Sequence, residues 1–270
     1  MSLRRRYLEQ QIELGGTEVI LAPTVAAPAP PTAAAAVPRG RGAVTDTGAP
    51  VGGDVPGQPG WMRDAPPVPG PGLTIELPEP SLLADESAGE SLADVAALIA
   101  DCTRCPLAEG RTNTVPGEGS SEARLMLVGE GPGAREDATG RPFVGAAGEL
   151  LNGILRAIDI PRESVFIANI VKCRPPKNRK PLPDEVAACL PYLQRQVALI
   201  RPSVIVALGG TAAESLLGVK KSLGQLRGQV HSYGGIPLVV TYHPAALLRN
   251  PNWKKPTWDD VRIARQLLDR

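Results

Sequence analysis

The sequence predicts a three-layer α/β/α domain around a central, mostly parallel sheet of about four strands, preceded by a disordered N-terminal segment. From residue 91 onward, short apolar runs alternate with helical segments of ten or more residues, which is the pattern of a largely parallel sheet with helices on both faces. Residues 23–72 instead hold 12 Pro and 9 Gly in 50 positions, so they bury too little apolar surface to offset their ordering entropy.

The first predicted elements are a capped helix and a buried strand. Ser91, with Asp94 three residues later, is expected to cap a helix that continues to Cys102. Residues 125–128 form an apolar run that breaks at Gly129, as expected for a buried strand.

The remaining elements continue the alternation. Strands are predicted at 165–171 and 204–208, and helices at 147–158, 184–200, 211–217 and 257–268. Residues 229–233 and 236–241 are separated by two glycines, and they either pair as a hairpin or supply the last strand. Ligands of such folds bind beyond the carboxyl ends of the strands.

Composition and charge divide the chain into three parts. Residues 17–90 are predicted to be a flexible linker rich in Pro, Ala and Gly. Residues 1–16 either form a short helix that docks on a partner or are a frayed tail. Residues 1–90 carry 6 Lys and Arg against 11 Asp and Glu, whereas residues 91–270 carry 23 against 17, so the near-neutral total hides a basic domain.

The composition is neither that of a membrane protein nor that of a disulfide-rich scaffold. No apolar run approaches the roughly 18 to 20 residues of a membrane span, and the N-terminal arginines precede no hydrophobic stretch. We therefore expect a cytoplasmic protein. In a reducing compartment, its four cysteines are more often metal ligands or buried thiols than disulfides.

The cysteines are spaced as one close pair and two scattered positions, Cys102-x₂-Cys105 and Cys173-x₁₅-Cys189. A zinc ribbon would supply a second close pair, and this spacing suits an iron–sulfur cluster at least as well. Four unrelated buried thiols remain the alternative.

Two loops beside predicted strand ends carry polar groups. Five cations lie within residues 172–180, a cluster that suits a phosphate backbone but also a solvated loop; they are Lys172, Arg174, Lys177, Arg179 and Lys180. The loop from Gly129 contains "GEGPG", which is neither a dinucleotide fingerprint nor a nucleoside triphosphate loop, because the spacing and the Gly-Lys-Ser/Thr sequence are absent.

Together the segments "GEGPGARED", "GRPFVG", "NIVKCRPPKNRKP" and "YHPAALLRNP" and the two cysteine spacings resemble the family 4, iron–sulfur uracil-DNA glycosylases. The resemblance covers roughly residues 91–270, which would be the catalytic domain with the fold of that superfamily. It implies a monofunctional glycosylase, a hydrolase that leaves an abasic site and initiates base excision repair. It also implies a structural 4Fe–4S cluster on Cys102, Cys105, Cys173 and Cys189.

The resemblance further implies how uracil would be bound. Phe143 matches the residue that stacks on the extruded base, and Asn169 matches the amide that distinguishes uracil from cytosine. His243 matches the histidine that stabilises negative charge on the departing base. His231, in a predicted strand, is expected to be structural.

Water activation is the least defined part of this implied site. Some relatives outside family 4 have Asp or Asn where this chain has Gly131, so the backbone there would contact uracil. Glu130 or Glu136 would then orient water or stabilise the cationic sugar. The resemblance also suggests that Glu136 excludes the thymine methyl group.

DNA is expected to bind the same face, in single- or double-stranded form. Arg174, Lys177 and Arg179 are the predicted phosphate contacts, together with Arg249. Leu247 or Leu248 would fill the vacated stack, although both leucines could instead pack inward. We expect a monomer, with a repair or replication partner for the N-terminal tail.

Two rival functions remain open on the same fold. One is a non-catalytic or covalently trapping uracil-DNA binder, whose family relative carries an additional histidine-bearing basic loop. The other is an iron–sulfur protein that binds DNA for redox or regulatory purposes. For that second rival, Phe143, Asn169 and His243 would have no reason to occur together.

Overall fold

Residues 58–77 and 89–270 are described by the structure, a computed structural model. The predicted terminal helix at 1–16 lies outside the described residues, as does the predicted linker at 17–57 and 78–88. Within the described ranges no helix is long and apolar enough to cross a membrane.

The described residues form seven strands and nine α-helices. The strands are β1 (Pro71–Ile75), β2 (Glu118–Gly119), β3 (Leu125–Gly129), β4 (Phe166–Asn169), β5 (Val204–Leu208), β6 (Val230–Tyr233) and β7 (Ile236–Thr241). The helices are α1 (Leu92–Ala100), α2 (Leu107–Gly110), α3 (Ala134–Thr139), α4 (Ala146–Ala157), α5 (Pro183–Ile200), α6 (Gly210–Leu217), α7 (Leu223–Leu226), α8 (Pro244–Arg249) and α9 (Lys254–Leu268). Short 3₁₀ turns lie at Gly60–Met62, Arg162–Ser164, Pro176–Asn178 and Pro251–Trp253.

One mixed sheet has the strand order β1-β6-β7-β5-β3-β4-β2. The inner four strands, β7, β5, β3 and β4, are mutually parallel, as predicted. Strands β6 and β7 form the antiparallel hairpin that the two glycines indicated, while β7 also joins the parallel set. Both alternatives for this segment are therefore realised at once.

Alternate residues of the strands pack into two separate cores, because successive side chains point to opposite faces of a sheet. Met126 and Val128 of β3 pack with α1, α5 and α6 on one face. Leu125 and Leu127 pack with α4 and α9 on the other. The three-layer prediction is confirmed.

Helix α1 begins at the predicted N-cap. The Ser91 hydroxyl accepts a hydrogen bond from the Asp94 backbone N–H, and the Asp94 carboxylate accepts one from the Ser91 backbone N–H at 2.8 Å. This reciprocal capping box supplies partners for two of the groups that a helix end leaves unpaired. The helix ends at Ala100, two residues before the predicted end.

The linker prediction is wrong for residues 58–77, and the sheet has three strands more than predicted. Strand β1 pairs in parallel with β6, and the Leu73 backbone N–H donates to Nδ1 of His231 at 2.9 Å. Trp61 is 3% exposed and lies beneath the Arg265 guanidinium, whose carbon is 5.1 Å from the ring centroid. A few apolar anchors therefore order a segment whose average composition is that of a linker.

Truncation of the Trp61 side chain tests this attachment. Because Trp61 is buried, Trp61→Ala should lower the free energy of unfolding by about 3 kcal/mol, the usual cost of removing a buried aromatic side chain. Urea denaturation of the full chain measures the change. Leu98→Ala, at a position 48% exposed on α1, should change it by less than about 0.5 kcal/mol. Equal effects of the two substitutions would show that residues 58–77 do not pack on the domain.

Candidate active site

A cleft of about 360 Å³ lies at the carboxyl ends of the four parallel strands. The predicted catalytic and base-binding residues, six in all, line this one cleft; they are Glu130, Gly131, Glu136, Phe143, Asn169 and His243. They come from the loops after β3 and β7, from helix α3, from the end of β4 and from the segment before α4. The fold therefore brings together residues separated by more than one hundred positions in the chain.

Asn169 presents an unpaired acceptor in this cleft. The residue is 1% exposed, and its buried Oδ1 has no hydrogen-bond partner in the described part of the chain. Gly129 faces it across the β3–β4 pair, and a Cβ at residue 129 would lie 2.4 Å from that Oδ1 and 2.7 Å from Cζ of Phe143. Only glycine at 129 therefore leaves room between the amide and the ring.

The Phe143 ring is held in the cleft by a strained backbone. Its φ of 51° lies in the left-handed region, which is unfavourable for a bulky side chain. Arg162 donates hydrogen bonds to the carbonyl oxygens of Pro142 at 2.7 Å and Phe143 at 3.3 Å. The ring stacks against the His243 imidazole, with centroids 5.4 Å apart and planes inclined by 29°.

Glu136 holds the same loop from its other side. One carboxylate oxygen accepts hydrogen bonds from the backbone N–H groups of Val144 at 2.9 Å and Gly145 at 3.0 Å. This fixes the carboxylate in the wall of the cleft. Sequence reasoning gave Glu136 a role toward water or thymine, and it missed both this loop contact and the contacts of Arg162.

His243 has a defined tautomer in its neutral form. Its Nδ1 accepts a hydrogen bond from the Ala245 backbone N–H at 3.1 Å at the start of α8, so the ring proton lies on Nε2. Burial lowers the pKa of His243 to about 4, and the positive charge of Arg249 contributes to the shift. At neutral pH the ring is therefore an uncharged Nε2–H donor.

Gly131 has no room for a side chain. A Cβ at this position would lie 2.7 Å from Cγ2 of Val171, so an Asp or Asn here would require the neighbouring loop to move. Glu130 lines the cleft beside it. The packing of the loop therefore favours glycine at residue 131.

The cationic loop is only partly available to DNA. Lys172 is 1% exposed and its Nζ donates to Gln196 at 2.7 Å, so its inclusion in a surface cluster is wrong. Arg179 forms a bidentate pair with the buried Glu185, at 2.6 and 2.8 Å, and also lines the cleft. Lys177 is exposed at the tip of the loop.

Arg174 and Arg249 lie near the opening of the cleft. Arg174 is held by a hydrogen bond from its Nε to Oδ1 of Asn178, and both Asn178 and Arg249 line the cleft. Leu247 is 1% exposed and Leu248 is 51% exposed. The assignment of Leu247 as a wedge is therefore wrong, because its position in α8 turns it into the core.

The four cysteines line a second, smaller cavity, bounded by α1, α2, the loop after β4 and α5. The Lys172 backbone N–H donates to Sγ of Cys189 at 3.2 Å, and Arg111 donates to Sγ of Cys173 at 3.3 Å. In the described residues, no group of three or more His, Cys, Asp or Glu side chains is arranged to hold a single metal ion.

The chemistry of this cavity fits a group bound by four thiolates, one for each iron of a cluster. Burial raises the pKa values of Cys105, Cys173 and Cys189, the last to about 11, so free thiolates are unfavourable there. Arg104, Arg111 and Lys172 bring positive charge to the cavity walls, and none of the lining residues is a carboxylate.

Comparison with known proteins identifies the family of the chain. The family model described as the Uracil DNA glycosylase superfamily matches residues 116–264 of this chain. The chain is 50% identical over 173 residues to a Type-4 uracil-DNA glycosylase of Thermotoga maritima, which covers 63% of this chain and 90% of that protein. It is 48% identical over 162 residues to a Type-4 uracil-DNA glycosylase of Pyrobaculum aerophilum, covering 57% and 83%. A Type-5 uracil-DNA glycosylase of Thermus thermophilus is 38% identical over 149 residues, covering 48% and 68%.

The fold and the match over residues 116–264 define the class: the chain belongs to the uracil-DNA glycosylase superfamily. Its identity of 42–50% to five Type-4 proteins places it more narrowly, in the type-4 uracil-DNA glycosylase family.

The protonation state of His243 can be tested by NMR. The Cε1–H resonance, assigned by comparison with His243→Gln, should titrate with a midpoint of about 4. Because the unfolded chain binds this proton at an ordinary pKa of 6.5, the free energy of unfolding should fall as the pH decreases from about 6.5 to 4. This fall should be smaller in His243→Gln. A midpoint near 6.5 would contradict the neutral assignment.

Proposed function

We propose that this protein hydrolyses the N-glycosidic bond of deoxyuridine in DNA and leaves an abasic site. The observation that carries the proposal is the convergence of three groups in one cleft: the Asn169 amide, whose Oδ1 has no partner among the described residues, the Phe143 ring and the Nε2–H donor of His243. The target nucleotide must leave the stack to reach them, because its anomeric carbon is inaccessible within a duplex.

Asn169 would select uracil through complementary hydrogen bonds. The carboxamide accepts from the ring N3–H of uracil through Oδ1 and donates to the 4-carbonyl through Nδ2. Cytosine offers an amino donor and no ring proton at these positions, so buried groups would be left unpaired at about 1–3 kcal/mol each. The Phe143 ring would stack on the extruded base.

His243 would favour departure of the base. As the bond breaks, the sugar becomes cationic and negative charge develops on uracil, including its O2. A neutral Nε2–H donor directed at O2 stabilises this charge more in the transition state than in the ground state. Because the ring is already oriented by its bond from Ala245, little reorganisation is needed.

Carboxylates would complete the reaction. The cationic sugar requires little base strength from the residue that orients water, so either Glu130 or Glu136 could serve from its position in the cleft wall. Glu136, fixed by Val144 and Gly145, would also occupy the space that the thymine 5-methyl group needs.

DNA would approach across the same opening. We assign phosphate contacts to Lys177, Arg174 and Arg249, with Arg179 contributing from its pair with Glu185. Leu248, exposed beside the cleft on α8, would fill the vacated stack in place of the buried Leu247. A monomer and a partner for residues 1–16 remain predictions, as does a cytoplasmic location.

A 4Fe–4S cluster would be held by Cys102, Cys105, Cys173 and Cys189. When bound, the group would supply a rigid cross-link rather than a reacting atom. Cys173 opens the cationic loop and lies four residues after Asn169, so fixing it would fix both the base-reading amide and the phosphate-binding loop. The sulfur hydrogen bonds from Arg111 and Lys172 would stabilise the ligating thiolates.

The rival of a covalently trapping binder is disfavoured by the position of His231. That residue is 1% exposed, and both its ring nitrogens are engaged, with the Leu73 N–H and the Leu226 carbonyl oxygen. It is structural, as predicted, and cannot reach DNA. A regulatory iron–sulfur protein would not need the groups assembled around Asn169.

A strand-nicking assay after alkali treatment tests the reaction. Oligonucleotides with U·G, U·A and single-stranded U should be cleaved, while T·G should not. His243→Ala should reduce the rate about 100-fold or more and Asn169→Ala about 10-fold or more, with far-UV circular dichroism spectra like that of the wild type. Wild-type rates in both variants would contradict the assignment of His243 and Asn169 to the active site.

The cluster is tested by composition rather than activity. The purified protein should be brown and contain about four iron atoms and four sulfides per chain. Cys189→Ser should lose most of the iron, whereas Ala188→Ser, in the same cavity wall, should retain it. A colourless, iron-free protein with full activity would exclude the assignment.

A further inference from the structure

A stack of three side chains lies beside the catalytic histidine and has no part in the proposed reaction. The Trp253 and Tyr242 rings are parallel to within 7°, with centroids 4.8 Å apart. The Arg227 guanidinium carbon lies 4.5 Å from the Tyr242 ring centroid. Tyr242 directly precedes His243 in the chain.

Buried contacts hold the base of this stack in place. Arg227 donates from Nε to the Asp260 carboxylate at 2.7 Å and from Nη2 to the Pro256 carbonyl oxygen at 2.9 Å. Asp260 is 3% exposed and also accepts from the Thr241 hydroxyl at 2.7 Å. The orientation of Tyr242 is therefore fixed by elements from β7 and α9, and Trp253 rests on a rigid support.

The stack lies on the DNA-facing edge of the sheet. Helix α9 packs along β5 and β7, and it starts where the chain has just left the carboxyl end of β7 through His243 and α8. Trp253 immediately precedes α9, so it is at the same edge as the cleft. Arg249, four residues before Trp253, lines that cleft.

The outer part of the stack is accessible and has basic residues next to it in the chain, of which Lys255 also pairs with Asp259 at 3.2 Å. Trp253 is 36% exposed, although large aromatic side chains are usually well buried. Lys254 and Lys255 follow it and are exposed, and Arg249 is exposed as well. An accessible, rigid aromatic ring among cations is the arrangement by which proteins hold single nucleotides, through base stacking and phosphate attraction.

We infer that Trp253 stacks on a nucleobase flanking the uracil, in a single-stranded segment of the substrate. The inference rests on the proposed function, because it names a second contact with the same DNA. Tyr242 and Arg227 are positioning residues for Trp253. The lysines beside it would attract the adjacent phosphates and contribute to the salt dependence of binding.

The test measures DNA binding by fluorescence anisotropy, with single-stranded oligonucleotides that contain one central uracil. In a series of strands, an abasic tetrahydrofuran spacer replaces each of the two bases on either side of the uracil in turn. Wild type, Trp253→Ala, Trp253→Phe and the control Leu98→Ala are compared.

Trp253→Ala should weaken binding to the complete strand at least fivefold, since stacking of one base contributes about 1–3 kcal/mol. A spacer at one of the four positions should weaken DNA binding by the wild type by a similar factor. The same spacer should leave the Kd of Trp253→Ala unchanged. Trp253→Phe should recover part of the loss, and Leu98→Ala should bind as wild type does.

An unchanged Kd in Trp253→Ala would overturn the inference, and so would spacer effects that are equal in wild type and Trp253→Ala. Uracil release from the same strands is measured in parallel. If wild type binds the strands but releases no uracil, the proposed function fails, while the spacer series still decides whether Trp253 contacts a base.

Discussion

The active-site cleft depends on one constraint, an amide side chain buried at the end of a central strand, whose Oδ1 has no hydrogen-bond partner among residues 58–77 and 89–270. An unpaired buried acceptor is unfavourable, so it persists only where the surrounding structure holds the side chain in place. Asn169 pairs with Gly129 in the parallel ladder between β3 and β4, and the ladder continues through the bond from the Ile170 N–H to the Gly129 carbonyl oxygen. Uracil would supply a donor to this oxygen through its ring N3–H, which cytosine lacks.

The Phe143 and His243 side chains of the cleft are also held in place by hydrogen bonds. Arg162 and Glu136 bind opposite sides of the Phe143 loop, and the Ala245 N–H sets the tautomer of His243. Such preorganisation matters because a donor that must first rotate into place loses part of its effect on the transition state. The cysteine cavity is close to these groups in the chain, because Lys172 and Cys173, which line it, follow the strand that ends at Asn169.

The sequence predicted the parts of the structure that local patterns control. The buried strands β3 and β5 are continuous apolar runs, and α1 begins at a Ser–Asp capping box. Motif resemblance predicted six of the residues that line the cleft. Arg162 was missed because its contact with the Phe143 loop depends on the path of the chain over 19 positions. Leu247 was misassigned because only the register of α8 distinguishes it from Leu248, and β1 was missed because averaged composition conceals isolated anchors such as Trp61.

Strand β1 affects where the N-terminal boundary of the folded domain lies. A recombinant fragment starting at Ser91 would contain the matched region 116–264 and all four cysteines, but it would lack β1. His231 would then lose the donor that Leu73 provides, and β6 would become an open edge of the sheet. The packed domain therefore extends at least as far as Trp61, inside a stretch whose composition resembles a tether.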